Sequence, residues 1–458
     1  MLKAKSIALA VALVLLVALA GCTTPAATTP KPVVEETEAP VAEETEAPVA
    51  EETEAPSAEP VTIEWWHIST AEEHMALWQG MADAYVADHP NVTINITVLE
   101  NEAFKTKLTT VMQGGEPPDI FQSWGGGVMN EYADAGLLQD ITPALDADGG
   151  AWRDSFGAGP LGVYAYGGKN YGVPWDMGMV GFWYNKQMFA DAGIDAPPET
   201  WSEFLEDVQA LKDSGVIPIA VGGGDKWPAH FYWTYLATRI GGQDAFVKAS
   251  TCPGSFTDEP YVEAGKKLQE LIALEPFQDG FLGATYGDEA TLVGDGKAAM
   301  ELMGQWAPAV EKDNSASGEG LGENLGFFLF PAVEGGAGDV TDGMGGGNGF
   351  AVGKDAPPEA VDFVKFLTSA ENQIAMAKIN VGLPVVKDTE EGVSDPNLLL
   401  VQEARDKAVY FQLYYDQYLA PATGEVIKDA VQGLFAGTVT PEELAQQLQD
   451  SFAAESCK

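Results

Sequence analysis

Tryptophans set beside short hydrogen-bonding residues recur along this chain, and that pairing suits one kind of chemistry, the non-covalent recognition of a sugar ring. Trp65, Trp66 and His67 stand together, as do Ser123 and Trp124, Trp175 and Asp176, and Gln305 and Trp306. Trp227, His230, Tyr232 and Trp233 cluster in one short stretch, and Asn348 lies in the glycine run from Gly343 to Gly349. A pyranose presents an apolar C–H face and a rim of hydroxyls. A flat indole covers the face with little side-chain entropy lost, while Asp, Asn, Gln, His and Ser pair with the rim. The residues expected at a ligand are therefore His67, Ser123, Trp124, Trp175, Asp176, Trp227, His230, Gln305, Trp306 and Asn348. Trp124, Trp175, Trp227 and Trp306 read as lying in turns flanked by glycine or proline. Trp78, Trp152, Trp183 and Trp201 fall inside or at the start of predicted elements and are expected in the core, with one of Trp65 and Trp66, because strand neighbours face opposite ways. His67 and His230 read equally well as structural hydrogen-bonders. Asp176, flanked by large apolar residues, needs a partner if buried, either a sugar hydroxyl or a hinge backbone group.

Motifs for covalent or metal chemistry fail. Gly157–Gly162 fits G-x-G-x-x-G by letter, but it contains proline and follows no strand; Gly296-Lys297 lacks the spacing and the Ser or Thr of a phosphate loop. There is no H-E-x-x-H, no G-x-S-x-G elbow, and the four histidines show no zinc spacing. No catalytic residue, metal or cofactor is expected. The enzyme alternative is a secreted glycoside hydrolase, which needs two facing carboxyls about 5 to 10 Å apart. With 69 acidic residues, counting singles out no such pair.

Residues so far apart in sequence converge only if a layered sheet brings strand ends together. Val61–Trp66, Val92–Val98 and Asp119–Trp124 read as strands, with helices over Met75–Ala87 and Phe104–Met112 between them. Thr200 and Glu203 form a capping box for a helix over Trp201–Ser214. Further helices are expected near Phe231–Ile240, Pro260–Leu274, Pro357–Thr368 and Pro441–Phe452. This alternation predicts α/β layers, with ligands beyond the carboxyl ends of strands. The chain after Val61 is too long for one ordinary core and implies two domains.

The N-terminal segment speaks to location. Lys3 and Lys5 precede an apolar run from Ile7 to Ala20, a signal segment of the secretory kind. Leu19-Ala-Gly-Cys22 resembles the bacterial lipobox, which implies a lipoprotein signal peptide over residues 1–21 and a lipidated Cys22 as mature N-terminus. Residues 22–60 hold Glu-Glu-Thr-Glu-Ala-Pro three times, beginning at Glu35, Glu43 and Glu51. A segment so charged and proline-rich is expected to stay disordered and extended, at up to about 3.1 Å per residue, as a tether. The expected location is extracytoplasmic, lipid-anchored to the cell membrane. A surface carbohydrate-adhesion lipoprotein is a further alternative that accounts for anchor and tether, though not for aromatics gathered at strand ends. The net charge of −45, from 69 acidic and 24 basic residues, argues against a nucleic-acid partner. With Cys22 assigned to lipid, Cys252 and Cys457 are left as either a disulfide or two free thiols. No second apolar stretch is long enough to span a bilayer.

Longer runs carry a family likeness. Gly115-Glu-Pro-Pro-Asp-Ile-Phe-Gln-Ser-Trp124, Lys169-Asn-Tyr-Gly-Val-Pro-Trp-Asp176, Phe182-Trp-Tyr-Asn-Lys186 and Pro198-Glu-Thr-Trp201 resemble the extracellular solute-binding proteins of ABC sugar importers, the maltose-binding-protein-like family. So do Gly296-Lys-Ala-Ala-Met-Glu301, Gly304-Gln-Trp306, Gly349-Phe-Ala-Val352 and Ala360–Leu367, in order from Val61 to the C-terminus. The resemblance implies an α/β, two-lobe periplasmic-binding-protein fold with hinge crossings and an inter-lobe ligand cleft. Lobe 1 is expected over 61–176 plus 341–385, and lobe 2 over 177–340 plus 386–458. Crossings are expected near Trp175–Gly178, Thr341–Gly347 and Gly382–Lys387. It implies Trp124 and Trp306 on opposite faces of the sugar, and Asp176 as a polar contact at the first crossing. It further implies a monomer that captures an oligosaccharide and docks on ABC permease transmembrane subunits. Asn101–Lys105, Asp225–Pro228 and Phe281–Tyr286 look most like binders of short plant oligosaccharides, xylobiose first.

Overall fold

Alternation along the first strand decides which side chains go inside. In the computed structural model, which describes residues 59–457, β1 (Val61–His67) buries Ile63, Trp65 and His67 on one face and leaves Thr62, Glu64 and Trp66 on the other. Trp65 is thus the core residue of its pair, while Trp66 stays half-buried beneath the Lys107 ammonium, 4.0 Å from its ring centre. The signal segment, Cys22 and the tether repeats lie outside the described residues.

The remaining strands are β2 (Val92–Val98), β3 (Ile120–Ser123), β4 (Ala165–Tyr166), β5 (Lys169–Asn170), β6 (Gly172–Met179), β7 (Gly181–Asn185), β8 (Ile217–Ile219), β9 (Ala298–Met303), β10 (Leu325–Phe328), β11 (Gly343–Val352) and β12 (Phe411–Leu413). β1 pairs in parallel with β2 and β3, and antiparallel β11 continues the sheet beyond β3. The second sheet runs β10-β7-β9-β8. Each sheet has its own core. The first is built on Trp65, whose ring meets Trp78, Phe350 and Phe363 edge-on at 5.6, 5.5 and 5.3 Å. The second gathers Phe182, Phe204, Phe330 and Trp201, with Trp183 and Trp233 fully buried nearby. Each such ring contributes about 1.5–3 kcal/mol by leaving water. Trp78, Trp152, Trp183 and Trp201 are all core residues. The capping box of Thr200 and Glu203 is present at the start of the helix Trp201–Asp213. This is the α/β, two-lobe architecture of the periplasmic binding proteins.

Two neighbouring strands carry the chain between lobes. β6 pairs with β11 in the first sheet and leads through Val180 directly into β7 of the second. β11 starts beside β12 at Gly343–Gly345 and ends beside β3 at Gly349–Val352. The glycine run is therefore paired strand rather than a loose crossing. Glycine is needed because the neighbours press close: a Cβ at Gly345 would lie 2.3 Å from the Gly178 carbonyl oxygen, and one at Gly349 2.3 Å from the Tyr164 ring. Tyr235, on the helix Trp227–Ala249, donates its hydroxyl to the Val180 carbonyl and accepts from the Met344 amide at 3.1 Å, pinning both strands where they enter the second lobe.

Cys252 and Cys457 are joined as a disulfide, with Cα atoms 5.6 Å apart and a sequence separation of 205. The bridge clips the C-terminal helix Pro441–Ser456 to the segment after Trp227–Ala249. A loop this long, closed in the unfolded chain, favours the folded state by about 2–4 kcal/mol in typical cases. Cys457→Ser is expected to lower stability by about that amount. Urea denaturation checks it: reductant should reproduce the loss in the native protein and add nothing in the variant.

Candidate functional site

The strand ends of both sheets open onto one cavity of about 490 Å³. On the first-lobe side, β3 stops at Ser123, whose hydroxyl accepts from the Gly125 amide at 3.1 Å. That turn, with Gly125 and Gly126 at φ 68° and 63°, sends the Trp124 side chain into the cavity. Phe104 meets its edge at 6.1 Å, and the Lys105 ammonium lies 5.6 Å from its ring centre. Deeper in, Trp175 on β6 lies nearly parallel to Phe350 and meets His74 edge-on at 5.3 Å. A register irregularity in β11 between Asn348 and Gly349 re-aims the strand locally, and Asn348 reaches the cavity.

The second lobe supplies an aromatic wall. Trp227 opens the helix Trp227–Ala249, with Pro228 pre-set in its first turn, and meets Tyr286 at 5.0 Å and Trp306 at 6.3 Å. Trp306 follows β9 and leads into the helix Ala307–Asn314. Tyr414, Asp416 and Gln417, just after β12, line a further part of the wall. Glu73 of the first lobe and Lys312 of the second pair at 3.3 Å; both are largely exposed, so the contact adds little stability.

Of the residues expected at a ligand, the cavity gathers Trp124, Trp175, Trp227, Trp306 and Asn348. Trp175 sits in a strand and Trp227 in a helix, not in turns. Five others are placed behind the wall, each for a physical reason. His67 shares the inward face of β1 with Trp65; it is 1 % exposed, its Nδ1 accepts from the Ser69 amide, and burial lowers its pKa to about 4. Ser123 is consumed by the turn that aims Trp124. His230, one helical turn after Trp227, faces inward, with Nδ1 donating to the Trp227 carbonyl at 2.8 Å and Nε2 3.5 Å from Asp416 Oδ1. Gln305 and Asp176 bind each other: Gln305 Nε2 donates to Asp176 Oδ2 at 2.5 Å.

Asp176 is a hub rather than a cavity contact. Asn348 Nδ2 also donates to Oδ2, at 2.8 Å, and the Leu383 amide donates to Oδ1 at 2.7 Å. Its carboxyl thus ties β6 to β11, to the 383 segment and to the second-lobe residue beside Trp306. Burial raises its pKa to about 6 against these three donors, which lower it.

Several cavity residues lay outside the sequence expectation: His74, Glu100, Lys105, Asp225, Tyr286 and Asp416. His74 was detectable only by helical spacing, since it shares the inward stripe of Trp78 and Tyr85; burial holds it neutral, with a pKa lowered to about 3. Nothing local marks Asp416. Behind the aromatic wall, Glu289, Glu301 and Glu311 are buried. Burial pushes Glu289 up to about 8 and the other two well above the usual carboxylate range, so these groups hold protons at neutral pH.

Comparison with known proteins agrees with this geometry. Residues 69–374 match the family profile described as bacterial extracellular solute-binding protein. The chain is 24% identical to the multiple sugar-binding protein of Streptococcus mutans, across 73% of this chain and 78% of that protein. It is 26% identical to the diacetylchitobiose binding protein of Streptomyces coelicolor, across 61% and 63%. A structure from work on xylan utilization by the thermophilic bacterium Caldanaerobius polysaccharolyticus superposes with a TM-score of 0.79 at 30% identity, covering 85% of this chain and 99% of that one. A chitin oligosaccharide binding protein superposes with a TM-score of 0.80 at 28% identity, covering 88% and 100%.

Proposed function

The chain belongs to the bacterial extracellular solute-binding protein family, and from that premise we propose that it captures a short oligosaccharide, xylobiose first among the candidates, and delivers it to an ABC permease. The observation that carries this reading is a cavity of about 490 Å³ flanked by Trp124 on one lobe and by Trp227, Tyr286 and Trp306 on the other. That volume lies within the usual range for small-molecule sites. Indoles on both walls suit the two faces of a pyranose, and Asn348, Asp225 and Gln417 suit its hydroxyls. Xylan-linked and chitin-linked neighbours support a β-linked sugar of a few rings. The sugar contacts both lobes together only when they close, so binding shifts the population toward the closed form. Hinge motion would run through β6, β11 and the 383 segment. Lipidation at Cys22 would hold the protein, as a monomer, at the outer face of the membrane, with residues 22–60 as its reach.

Isothermal titration of the purified protein with xylobiose, cellobiose, diacetylchitobiose, maltose and raffinose tests this. A micromolar Kd, about −8 kcal/mol, is expected for one of the β-linked disaccharides, without hydrolysis. Binding to none of them would reject the saccharide reading, and release of monosaccharide would replace it with a hydrolase.

A further inference from the structure

Three carboxylates border the cavity. Glu100 enters from the first lobe, and Asp225 and Asp416 from the second. Each is anchored from the protein side. Glu100 Oε2 accepts from the Glu102 and Ala103 amides at 3.0 and 3.3 Å. Asp225 Oδ2 accepts from the Tyr286 amide at 2.8 Å. Asp416 Oδ2 accepts from Gln417 Nε2 at 3.0 Å, and its Oδ1 lies 3.5 Å from His230 Nε2. The second oxygens of Glu100 and Asp225 meet no protein donor among the described residues, which leaves them as acceptors for whatever fills the cavity.

The cations nearby are each paired with a carboxylate of the protein. Lys105 borders the cavity, but its ammonium pairs with Glu102 at 2.7 Å. Lys428, behind Asp416 and only 8 % exposed, pairs with Glu425 at 2.6 Å. Burial would raise the Asp416 pKa, yet its charged neighbours hold it below the ordinary value; His230 is itself kept uncharged at neutral pH by burial, so Lys428 and Lys105 are the cations that keep Asp416 ionised there. Asp225 is raised by burial and by the charges of Glu102 and Glu100, which places these acids within one another's field. The chain as a whole adds a net charge of −45, which repels anions before contact.

Resting on the reading of the cleft as a saccharide site, we infer that it discriminates against acidic sugars, with Glu100, Asp225 and Asp416 as the specificity-determining residues. These acceptor-only groups match hydroxyl donors. A ligand carboxylate would meet like charge in a partly dehydrated cavity, where the one bordering ammonium, Lys105, is already charge-paired with Glu102. The cleft therefore takes uncharged oligosaccharides and passes over those decorated with uronate.

Titration at low and high ionic strength tests this, with xylobiose, cellobiose, their counterparts carrying one uronate carboxyl, and the methyl esters of those uronates. The neutral sugar and the methyl ester should bind alike, and the free acid at least about tenfold more weakly. Added salt and the Asp225→Asn variant should both narrow that gap. Equal binding of acid and neutral sugar would overturn the inference and leave the saccharide reading standing. So would rejection of the ester as strongly as the acid, which would make size the cause. Tighter binding of the acid, lost in Lys105→Ala, would assign Lys105 as an anion receptor and overturn it too. Binding of none of these sugars would overturn both the inference and the reading beneath it.

Discussion

Asp176→Ala is expected to destabilise the protein by about 3 kcal/mol, because it strands three buried donors at once. Gln305 Nε2, Asn348 Nδ2 and the Leu383 amide all donate to this one carboxyl, which is 1 % exposed. Asp176→Asn keeps the shape but turns one acceptor into a donor, so it should cost less and still weaken the hub. The pH dependence gives a second readout. The native pKa of about 6 lies above the ordinary value of 3.8, so the folded protein holds a proton that the unfolded chain has released. The stability this group supplies is complete below about pH 4 and is lost as pH rises through 6, at up to about 1.4 kcal/mol per pH unit. Tyr164 and Tyr414 face the carboxyl as neutral phenols, and Arg405 is the cation whose charge opposes the shift. Urea midpoints measured from pH 4 to 7 should therefore fall more steeply for the native protein than for Asp176→Asn. Parallel curves would show that Asp176 does not titrate in that window and would remove it as an ionising hub.

That hub also marks where the sequence stops being legible. Local rules reach far: parity put one of Trp65 and Trp66 inside, the Thr200–Glu203 spacing marked a helix start, and element interiors placed Trp78, Trp152, Trp183 and Trp201 in the cores. Each depends only on a residue's own strand or helix. The pairing of Trp124 with Trp306 across the sugar comes from the family likeness of their motifs, not from any local rule; the structure sets Trp124 directly after β3 and Trp306 three residues past the end of β9. Facing direction at the crossings depends instead on the register between two distant strands. Asp176 opposes Asn348 in the β6–β11 pairing, and the irregularity after Asn348 leaves one at the cavity and the other buried. No spacing in either strand encodes that split. The same limit explains Asp416, which reaches the cavity because the short helix Tyr415–Tyr418 packs on the turn after Trp124. There Gly126 and Gly127 let the Gln417 and Leu419 carbonyls approach to where a Cβ would stand. Glycine at 125–127 reads locally as a loose turn, and its reason appears only with the partner segment in place.

The larger effect on ligand capture is expected from Trp306→Ala and Trp124→Ala, each at least about 100-fold weaker in sugar affinity, or roughly 3 kcal/mol. Both indoles border the cavity while staying half-buried, so their faces are available without rearrangement of either core. Trp306 is braced by Trp227 and Trp124 by Phe104, which holds each ring upright before the sugar arrives and limits the entropy lost on binding. Phenylalanine at either position keeps a smaller flat face and should recover part of the affinity, which separates stacking from collapse of the wall. The two losses should also be coupled. If the indoles hold one sugar from opposite lobes, each acts fully only in the closed form, and removing either lowers closure as well as contact. The double variant should then lose less than the sum of the singles. Titration gives the affinities, and sugar-induced change in small-angle scattering gives closure. Strictly additive losses with closure intact in both singles would mean that the two tryptophans hold separate rings of a longer oligosaccharide, each bound mainly to its own lobe.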